Sequence, residues 1–209
     1  MNFKRILVLA PHTDDEIACA GAVSKFVDQG SNVWLSVFSW CEQSVPKEFD
    51  KDILKKECKK SAEILGLRNF GVDILNYRVR NFLPDRQNIL EYMVEVNKAF
   101  IPDLVFMPAS TDVHQDHQVI HNEGLRAFKQ TNILGYEMPS NNVNFNGNTF
   151  IKLNNSNIET KIKARGCYKS QAFRGYMNPE LFIGLAKIRG VQCNAEYAEA
   201  FEHIRGVIC

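Results

Sequence analysis

Short, continuously apolar runs alternate along the first two thirds of the chain with longer segments whose apolar residues recur every three or four positions. Runs of the first kind are typical of strands covered on both faces, and the longer spacing is typical of amphipathic helices. The pattern predicts strands at residues 6–10, 32–38, 74–77 and 104–107. It predicts helices at residues 16–29, 50–65, 88–100 and 115–129.

Strands that alternate with helices indicate an α/β protein with a mainly parallel sheet and right-handed crossovers. A length of 209 residues is ordinary for one domain, so residues 1–209 are predicted to form a single domain. The polar stretch 140–148 contains five Asn residues and is predicted to be a surface loop, not a domain linker. In such sheets, ligands bind at the carboxyl ends of the strands.

Two short segments rich in Asp and His lie where predicted strands end. Residues 11–16 read Pro-His-Thr-Asp-Asp-Glu and follow the first strand, and residues 114–117 read His-Gln-Asp-His, a few residues after the fourth. Both therefore fall at the carboxyl edge, where they can meet across one crevice. Catalytic zinc is usually held by three ligands drawn from His, Asp, Glu and Cys, with a fourth position left for water. The sequence predicts a metal site built from both segments.

Metal-assisted hydrolysis needs several roles that these residues could fill. One carboxylate must remain free of the metal to take a proton from water, so one of Asp14 and Asp15 could bind metal while the other faces the water. A histidine outside the ligand set could protonate a leaving group or stabilise an oxyanion. A further acid could hold a ligand histidine in the right tautomer. The residue types alone leave the assignment of these roles open.

The other histidines have plainer explanations. An isolated His-x-Asp-Asp can also be a helix cap or a turn, and the second acidic segment is what favours metal binding. His121 lies four residues after His117, a spacing that can share zinc, but Gln118 stands where the protease pattern has Glu. His121 is therefore predicted to be a surface or packing residue. His203 is predicted to be structural.

The composition of the chain limits the kinds of partner and the cellular compartment that we expect. Lys and Arg number 25 against 24 Asp and Glu, so no overall field draws the chain to nucleic acid or an anionic membrane, and a small-molecule partner is expected. The six cysteines form no Cys-x-x-Cys pair, which excludes a zinc ribbon and indicates reduced thiols. No apolar stretch reaches the length of a membrane span or of a signal-peptide core, which predicts a cytoplasmic protein. A homo-oligomer is left open.

The two segments resemble the motifs of the PIG-L/LmbE-like zinc N-deacetylases, Pro/Ala-His-x-Asp-Asp-Glu and His-x-Asp-His. The resemblance extends over nearly the whole length. Further matching stretches follow in the order of that family at residues 56–57, 62–67, 102–105, 169–171 and 198–201. Thr13 and Gln115 depart from it, since Pro is common at both positions, but both lie between the chemical residues. The resemblance implies a Rossmann-like α/β fold with helices on both faces of the sheet.

The same resemblance implies an activity, the removal of an N-acetyl group from an amino sugar that is free, glycosidic, nucleotide-linked or lipid-linked. By position, it implies zinc ligands at His12, Asp15 and His117. Asp14 would be the general base, and His114 the general acid or oxyanion donor. Asp116 would orient His114 or balance its charge, and Glu16 would lie in the outer shell or open the following helix. Fe²⁺ could replace Zn²⁺, because His and carboxylate ligands accept both.

Basic residues near the same edge are candidates for binding the substrate. Arg78 and Arg80 follow a predicted strand and could bind a phosphate or a carboxylate, although a solvated loop explains them equally well. Tyr168, Lys169 and Arg174 are weaker candidates of the same kind.

Two other functions fit the sequence less well. One is a metal hydrolase acting on another amide or ester bond, or on a phosphoester, for which two adjacent metals would be favoured. The other is a metal- or nucleotide-binding module without turnover, because sheets of this architecture host many binding functions. A full ligand set beside a free carboxylate argues against such a module.

Overall fold

The computed structural model describes residues 3–67 and 71–207. Within these ranges it contains seven strands: β1 (Arg5–His12), β2 (Asn32–Ser39), β3 (Val72–Ile74), β4 (Leu104–Pro108), β5 (Asn132–Tyr136), β6 (Thr149–Leu153) and β7 (Tyr197–Arg205). The α-helices in the same ranges are α1 (Ala20–Asp28), α2 (Ile53–Ile64), α3 (Arg86–Phe100), α4 (Gln115–Ala127), α5 (Asn155–Arg165) and α6 (Pro179–Gln192).

All seven strands belong to one sheet in the order β3-β2-β1-β4-β5-β7-β6. The first five strands in this order pair in parallel, and β7 is antiparallel to both of its neighbours. Side chains of β1 alternate between two cores. Ile6 and Val8 pack with residues of α1 and α2 on one face, and Leu7 and Leu9 pack with residues of α3 and α4 on the other. The predicted α/β fold, a Rossmann-like and mainly parallel sheet covered on both faces, is confirmed.

The third strand lies earlier in the chain than predicted. It spans Val72–Ile74 instead of residues 74–77. The chain leaves the parallel ladder after Ile74, and Asn76 forms an isolated antiparallel bridge with Ser39 of β2. Leu75 and Tyr77 still donate backbone hydrogen bonds to β2, which explains why this stretch has the apolar pattern of a strand. The segment that carries Arg78 and Arg80 therefore begins beside the end of β2.

The helix predicted from residue 16 begins as a 3₁₀ helix, Asp15–Cys19, and becomes α-helical only at Ala20. The other predicted helices agree with α2, α3 and α4 to within three residues at either end. The stretch 140–148 contains no helix or strand, as predicted.

The elements from β5 onward were not predicted as separate elements. β7 carries the buried Glu199, which interrupts an apolar pattern, and the apolar residues of α5 and α6 do not gather on one face. No helix in the described ranges is long and apolar enough to cross a membrane. The structure has free thiols at Cys19, Cys41, Cys58, Cys167 and Cys193, and Cys209 lies outside the described residues.

Candidate active site

The carboxyl ends of β1 and β4 bring the two acidic segments together. These strands are parallel neighbours in the sheet, so the residues that follow each one emerge at the same edge. His12 is the last residue of β1, and His114 is the N-cap of α4, the helix that follows β4. The predicted meeting of the two segments across one crevice is confirmed.

Three potential ligand atoms form an equilateral triangle at this edge. His12 Nδ1, Asp15 Oδ2 and His117 Nε2 lie 3.2 Å from one another, and all three residues are buried. Ligand atoms bound at ~2.0–2.1 Å to a tetrahedral zinc ion are separated by roughly 3.3–3.4 Å. The spacing and the donor types therefore fit a single divalent cation such as zinc.

A second combination replaces the carboxylate with a third histidine. One ring nitrogen each of His12, His114 and His117 lies within 4.8 Å of the other two. The imidazoles of His12 and His114 meet edge to face, with ring centroids 4.9 Å apart. Because the triangle that includes Asp15 is tighter, we favour it as the ligand set, with His114 facing whatever binds there.

Both histidines of the triangle are held by a carboxylate on the ring nitrogen that faces away from it. His12 Nε2 lies 3.0 Å from Asp116 Oδ2, and His117 Nδ1 lies 2.7 Å from Asp112 Oδ2. Histidines that ligate metals commonly donate their second N–H to such a carboxylate. The sequence reasoning missed Asp112, although an Asp two residues before His114 was a readable signal.

Asp116 has a different partner from the one expected. Its carboxylate accepts backbone N–H groups from Arg80 and Phe82 as well as contacting His12, and it does not contact the ring of His114. His114 instead receives the backbone N–H of Asp116 on Nδ1, at 3.2 Å, because its side chain caps the first turn of α4. A nitrogen that accepts this bond carries no proton, so the ring of His114 is neutral with its proton on Nε2.

Asp14 lines the cleft beside the triangle and forms no hydrogen bond or salt bridge with another side chain in the described part of the chain. Burial and the neighbouring Asp15 raise the pKa of Asp14 to about 6. Burial alone would raise the pKa of Asp15, but His117 and His12 bring it far below its usual value. Burial would lower the pKa of His117, but Asp15 and Asp112 raise it to about 10. The raised pKa values of Asp14 and His117 both reflect the negative charge of Asp15, a charge that suits a cation.

Glu16 lies under the loop that carries the two aspartates. Its Oε1 accepts hydrogen bonds of 2.6 Å from Ser61 Oγ and from Tyr168 Oη. The Tyr168 hydroxyl also contacts the carbonyl oxygen of Thr13, and burial raises the pKa of Glu16 to about 8. Glu16 and Tyr168 thus support the loop from the outer shell. The nearly complete burial of Tyr168 removes it as a candidate for contacting substrate.

A protein-family model matches a part of the chain that includes both acidic segments. A model of the PIG-L family, described as GlcNAc-PI de-N-acetylase, matches residues 7–128, more than half of the chain. The chain belongs to the PIG-L family. This confirms the family resemblance derived from the two motifs.

Solved structures with the same fold as this PIG-L family chain include three relatives of low identity. N,N'-diacetylchitobiose deacetylase from Pyrococcus horikoshii has a TM-score of 0.78 and 22% identity over 96% of this chain and 84% of that one. A conserved protein from Thermus thermophilus has a TM-score of 0.82 and 21% identity over 98% and 96%. GalB, the 4-carboxy-2-hydroxymuconate hydratase from Pseudomonas putida, has a TM-score of 0.81 and 20% identity over 99% and 98%. At these identities the likeness shows the fold.

The triangle opens into a cleft of about 240 Å³. Arg80 and Arg174 line this cleft, whereas Arg78 and Lys169 are absent from its described lining. Arg80 therefore lies where it faces whatever occupies the cleft, whereas Arg78 lies outside the lining. The role of either arginine in substrate binding stays a prediction. Sequence position could not rank them, because a loop's backbone decides which of two nearby arginines faces inward.

The remaining histidines lie outside the cleft lining. His121 is buried and donates its Nδ1–H to the carbonyl oxygen of Pro108 at 2.8 Å, in agreement with the predicted packing role. His203 lies on β7 and contacts Thr149 Oγ1 on the neighbouring strand β6, and its structural role stays a prediction.

Proposed function

We propose that this PIG-L family chain is a metal-dependent hydrolase that removes the N-acetyl group from an amino sugar or an amino-sugar conjugate. The observation that carries the proposal is the 3.2 Å triangle of His12, Asp15 and His117 with the unpaired carboxylate of Asp14 beside it in one cleft. The family's description as a GlcNAc-PI de-N-acetylase supports this reaction. A chitobiose deacetylase with the same fold supports a sugar substrate.

His12, Asp15 and His117 would hold the metal, for which we favour Zn²⁺, with Fe²⁺ as an alternative. When bound, the cation would lower the pKa of a water molecule and polarise the acetyl carbonyl. With the cation bound, Asp116 and Asp112 would hold the two imidazoles in the tautomer that presents a lone pair to it.

Asp14 is the proposed proton carrier. Its carboxylate faces the cleft and has no competing side-chain partner in the described residues, so both oxygens can reach a water molecule. It would accept the proton of the attacking water and deliver it to the sugar nitrogen as the C–N bond breaks, which leaves acetate and a free amine.

His114 is proposed to stabilise the developing oxyanion. Because its Nδ1 already accepts the N–H of Asp116, the ring can offer only the Nε2 proton. A neutral ring held in this way acts as a hydrogen-bond donor to the carbonyl oxygen, which gains negative charge as water adds. This favours the oxyanion-donor role over the general-acid role, and it assigns proton transfer to Asp14.

Release of acetate is the decisive readout, because the same fold also occurs in a hydratase and therefore does not identify the reaction. The assay would cover N-acetylglucosamine and its glycoside, nucleotide and lipid-linked forms with metal-loaded protein. Cleavage of other amides, esters or phosphoesters without acetate release would favour the rival hydrolase. Metal binding without turnover of any of them would favour a binding module.

The adjacent aspartates provide a matched test of the two roles. Asp14→Asn removes the proton acceptor but no triangle atom, so metal content should stay near that of the unmodified protein while turnover falls about a hundred-fold or more. Asp15→Asn should instead lower the metal content measured by elemental analysis. Unchanged acetate release by Asp14→Asn would contradict the proposal.

A further inference from the structure

The outer part of the cleft carries positive charge. Among the described residues that line the cleft, the charged side chains beyond the triangle, Asp14 and His114 are Arg80 and Arg174, which we call the arginine pair. The neighbouring polar lining comes from uncharged residues such as Ser44, Asn141 and Gln171. A divalent cation in the triangle would balance the charges of Asp14 and Asp15, so the arginine pair would supply the positive charge of the outer part of the cleft.

Neither arginine of the pair has a carboxylate partner within the described ranges, in contrast to Arg86, Arg126 and Arg189. Arg86 and Arg126 share Glu123, and Arg189 pairs with Glu137.

Arg80 instead donates from Nη2 to Ser44 Oγ at 3.3 Å, and Arg174 donates from Nε to Gln171 Oε1 at 2.6 Å. Each guanidinium has five N–H donors, so most of them remain available to a ligand.

Buried contacts hold Arg174 in the cleft wall. Glu57 of α2 accepts both the backbone N–H and the hydroxyl of Ser170, at 2.9 and 2.6 Å. The adjacent Gln171 is also buried, and its amide oxygen receives Arg174 Nε. The guanidinium lies over the ring of Tyr176 at 5.8 Å from its centroid. The orientation of Arg174 is therefore fixed from the core, unlike that of an ordinary surface arginine.

The backbone of Arg80 is fixed as well. Its φ of 65° is uncommon for a residue with a side chain, and it is maintained because the backbone N–H donates to the buried carboxylate of Asp116. This conformation separates Arg80, which lines the cleft, from Arg78, which does not.

We propose that the arginine pair binds an anionic group of the substrate, a phosphate or a carboxylate. The substrate class is then an N-acetyl amino sugar that carries negative charge, with the anion at the arginine pair and the acetyl group at the triangle. Planar guanidinium groups match both anions through paired, charge-assisted hydrogen bonds. The acetyl part of this statement rests on the proposed function, and the anion-binding part does not.

The kinetic test compares N-acetylglucosamine with its 6-phosphate and with the corresponding uronic acid, three substrates that share the acetyl group. We expect kcat/KM for acetate release to be about tenfold or more higher for at least one anionic sugar, whose identity separates phosphate from carboxylate recognition. Arg80→Gln and Arg174→Gln should each move this preference ratio towards one. Arg78→Gln, the matched control outside the cleft, should leave it unchanged. Equal kcat/KM for neutral and anionic sugars would overturn the inference.

A binding measurement separates this inference from the proposed function. Glucosamine 6-phosphate, glucosaminuronic acid and glucosamine lack the acetyl group, and their affinities can be measured by calorimetry whether or not the protein releases acetate. Tighter binding of an anionic sugar, weakened about tenfold by Arg174→Gln and not by Arg78→Gln, would support the arginine pair even if no acetate were released. Binding that is indifferent to charge would refute the arginine pair even if deacetylation were found.

Discussion

The two ends of the cleft are built in different ways. The triangle is formed by side chains from two short stretches of sequence at the ends of neighbouring strands. Each of its histidines is held by a carboxylate, Asp116 within the second stretch or Asp112 just before it. The arginine pair comes from two loops that are distant in sequence, and its positions depend on buried residues of α2 and α4. The positions of the triangle residues are thus set by local sequence, whereas the positions of the arginine pair are set by tertiary contacts.

Asp116 is a residue that supports both ends of the cleft. One oxygen of its carboxylate contacts His12 and also receives the backbone N–H of Arg80. The other oxygen receives the N–H of Phe82. Because the carboxylate is fully buried, no water can replace these bonds without rearrangement.

Asp116→Asn should therefore have the largest effect of the substitutions in the supporting shell. An amide offers one acceptor oxygen instead of two, and its NH₂ would face a backbone donor. We expect metal affinity to fall by roughly 10- to 100-fold and the free energy of unfolding to fall by about 1–3 kcal/mol. The preference for an anionic sugar should fall too. Metal titration, denaturant unfolding and the kcat/KM ratio measure the three effects.

Asp103→Asn is the control for Asp116→Asn. Asp103 also accepts two backbone N–H groups, from Lys4 and Arg5, but it lies at the opposite edge of the sheet, where β1 and β4 begin. Asp103→Asn should lower the free energy of unfolding and leave metal affinity unchanged. Equal losses of metal affinity in the two variants would show that the effect is global and not transmitted through His12.

The same difference between the two ends explains what the sequence could predict. The residues of the triangle could be predicted from the sequence because strand ends and His-Asp spacing are local features, and because parallel strands bring their carboxyl ends to one edge. The sequence could not predict which of Arg78 and Arg80 lines the cleft, because the φ of Arg80 depends on a hydrogen bond to a residue of α4. Arg174 depends on Glu57 through Ser170 and Gln171, a chain of contacts that spacing does not reveal.

The unpredicted strands have a related cause. Glu199 of β7 breaks the apolar pattern of a buried strand, yet its oxygens accept the N–H groups of Gly21 and Ala22 and the ammonium group of Lys161. A buried acid of this kind is tolerated only because distant residues satisfy it. Strands β1, β2 and β4, by contrast, follow from local apolar periodicity and were predicted to within two residues at either end.

Asp112→Asn should affect the triangle alone. Asp112 contacts the ring of His117 and accepts hydrogen bonds from the backbone N–H of His114 and, at 3.3 Å, from the side chain of Asn141, but it touches neither arginine. We expect metal affinity to fall about tenfold, since an amide is a weaker partner for the imidazole than a carboxylate. The kcat/KM ratio between anionic and neutral sugars should stay the same once metal is supplied in excess. A changed ratio would mean that the two ends are coupled by a route other than Asp116.

Glu57→Gln should have the smallest effect, and it should appear only at the arginine pair. The amide keeps one acceptor for Ser170 but loses the charge-assisted bond, so Arg174 is held less firmly. We expect the preference for an anionic sugar to fall roughly threefold while metal content stays unchanged. Glu63→Gln, an exposed position on the same helix, is the matched control. Loss of metal by Glu57→Gln would show that α2 supports the triangle as well, and would remove the distinction between a locally encoded chemical end and an assembled recognition end.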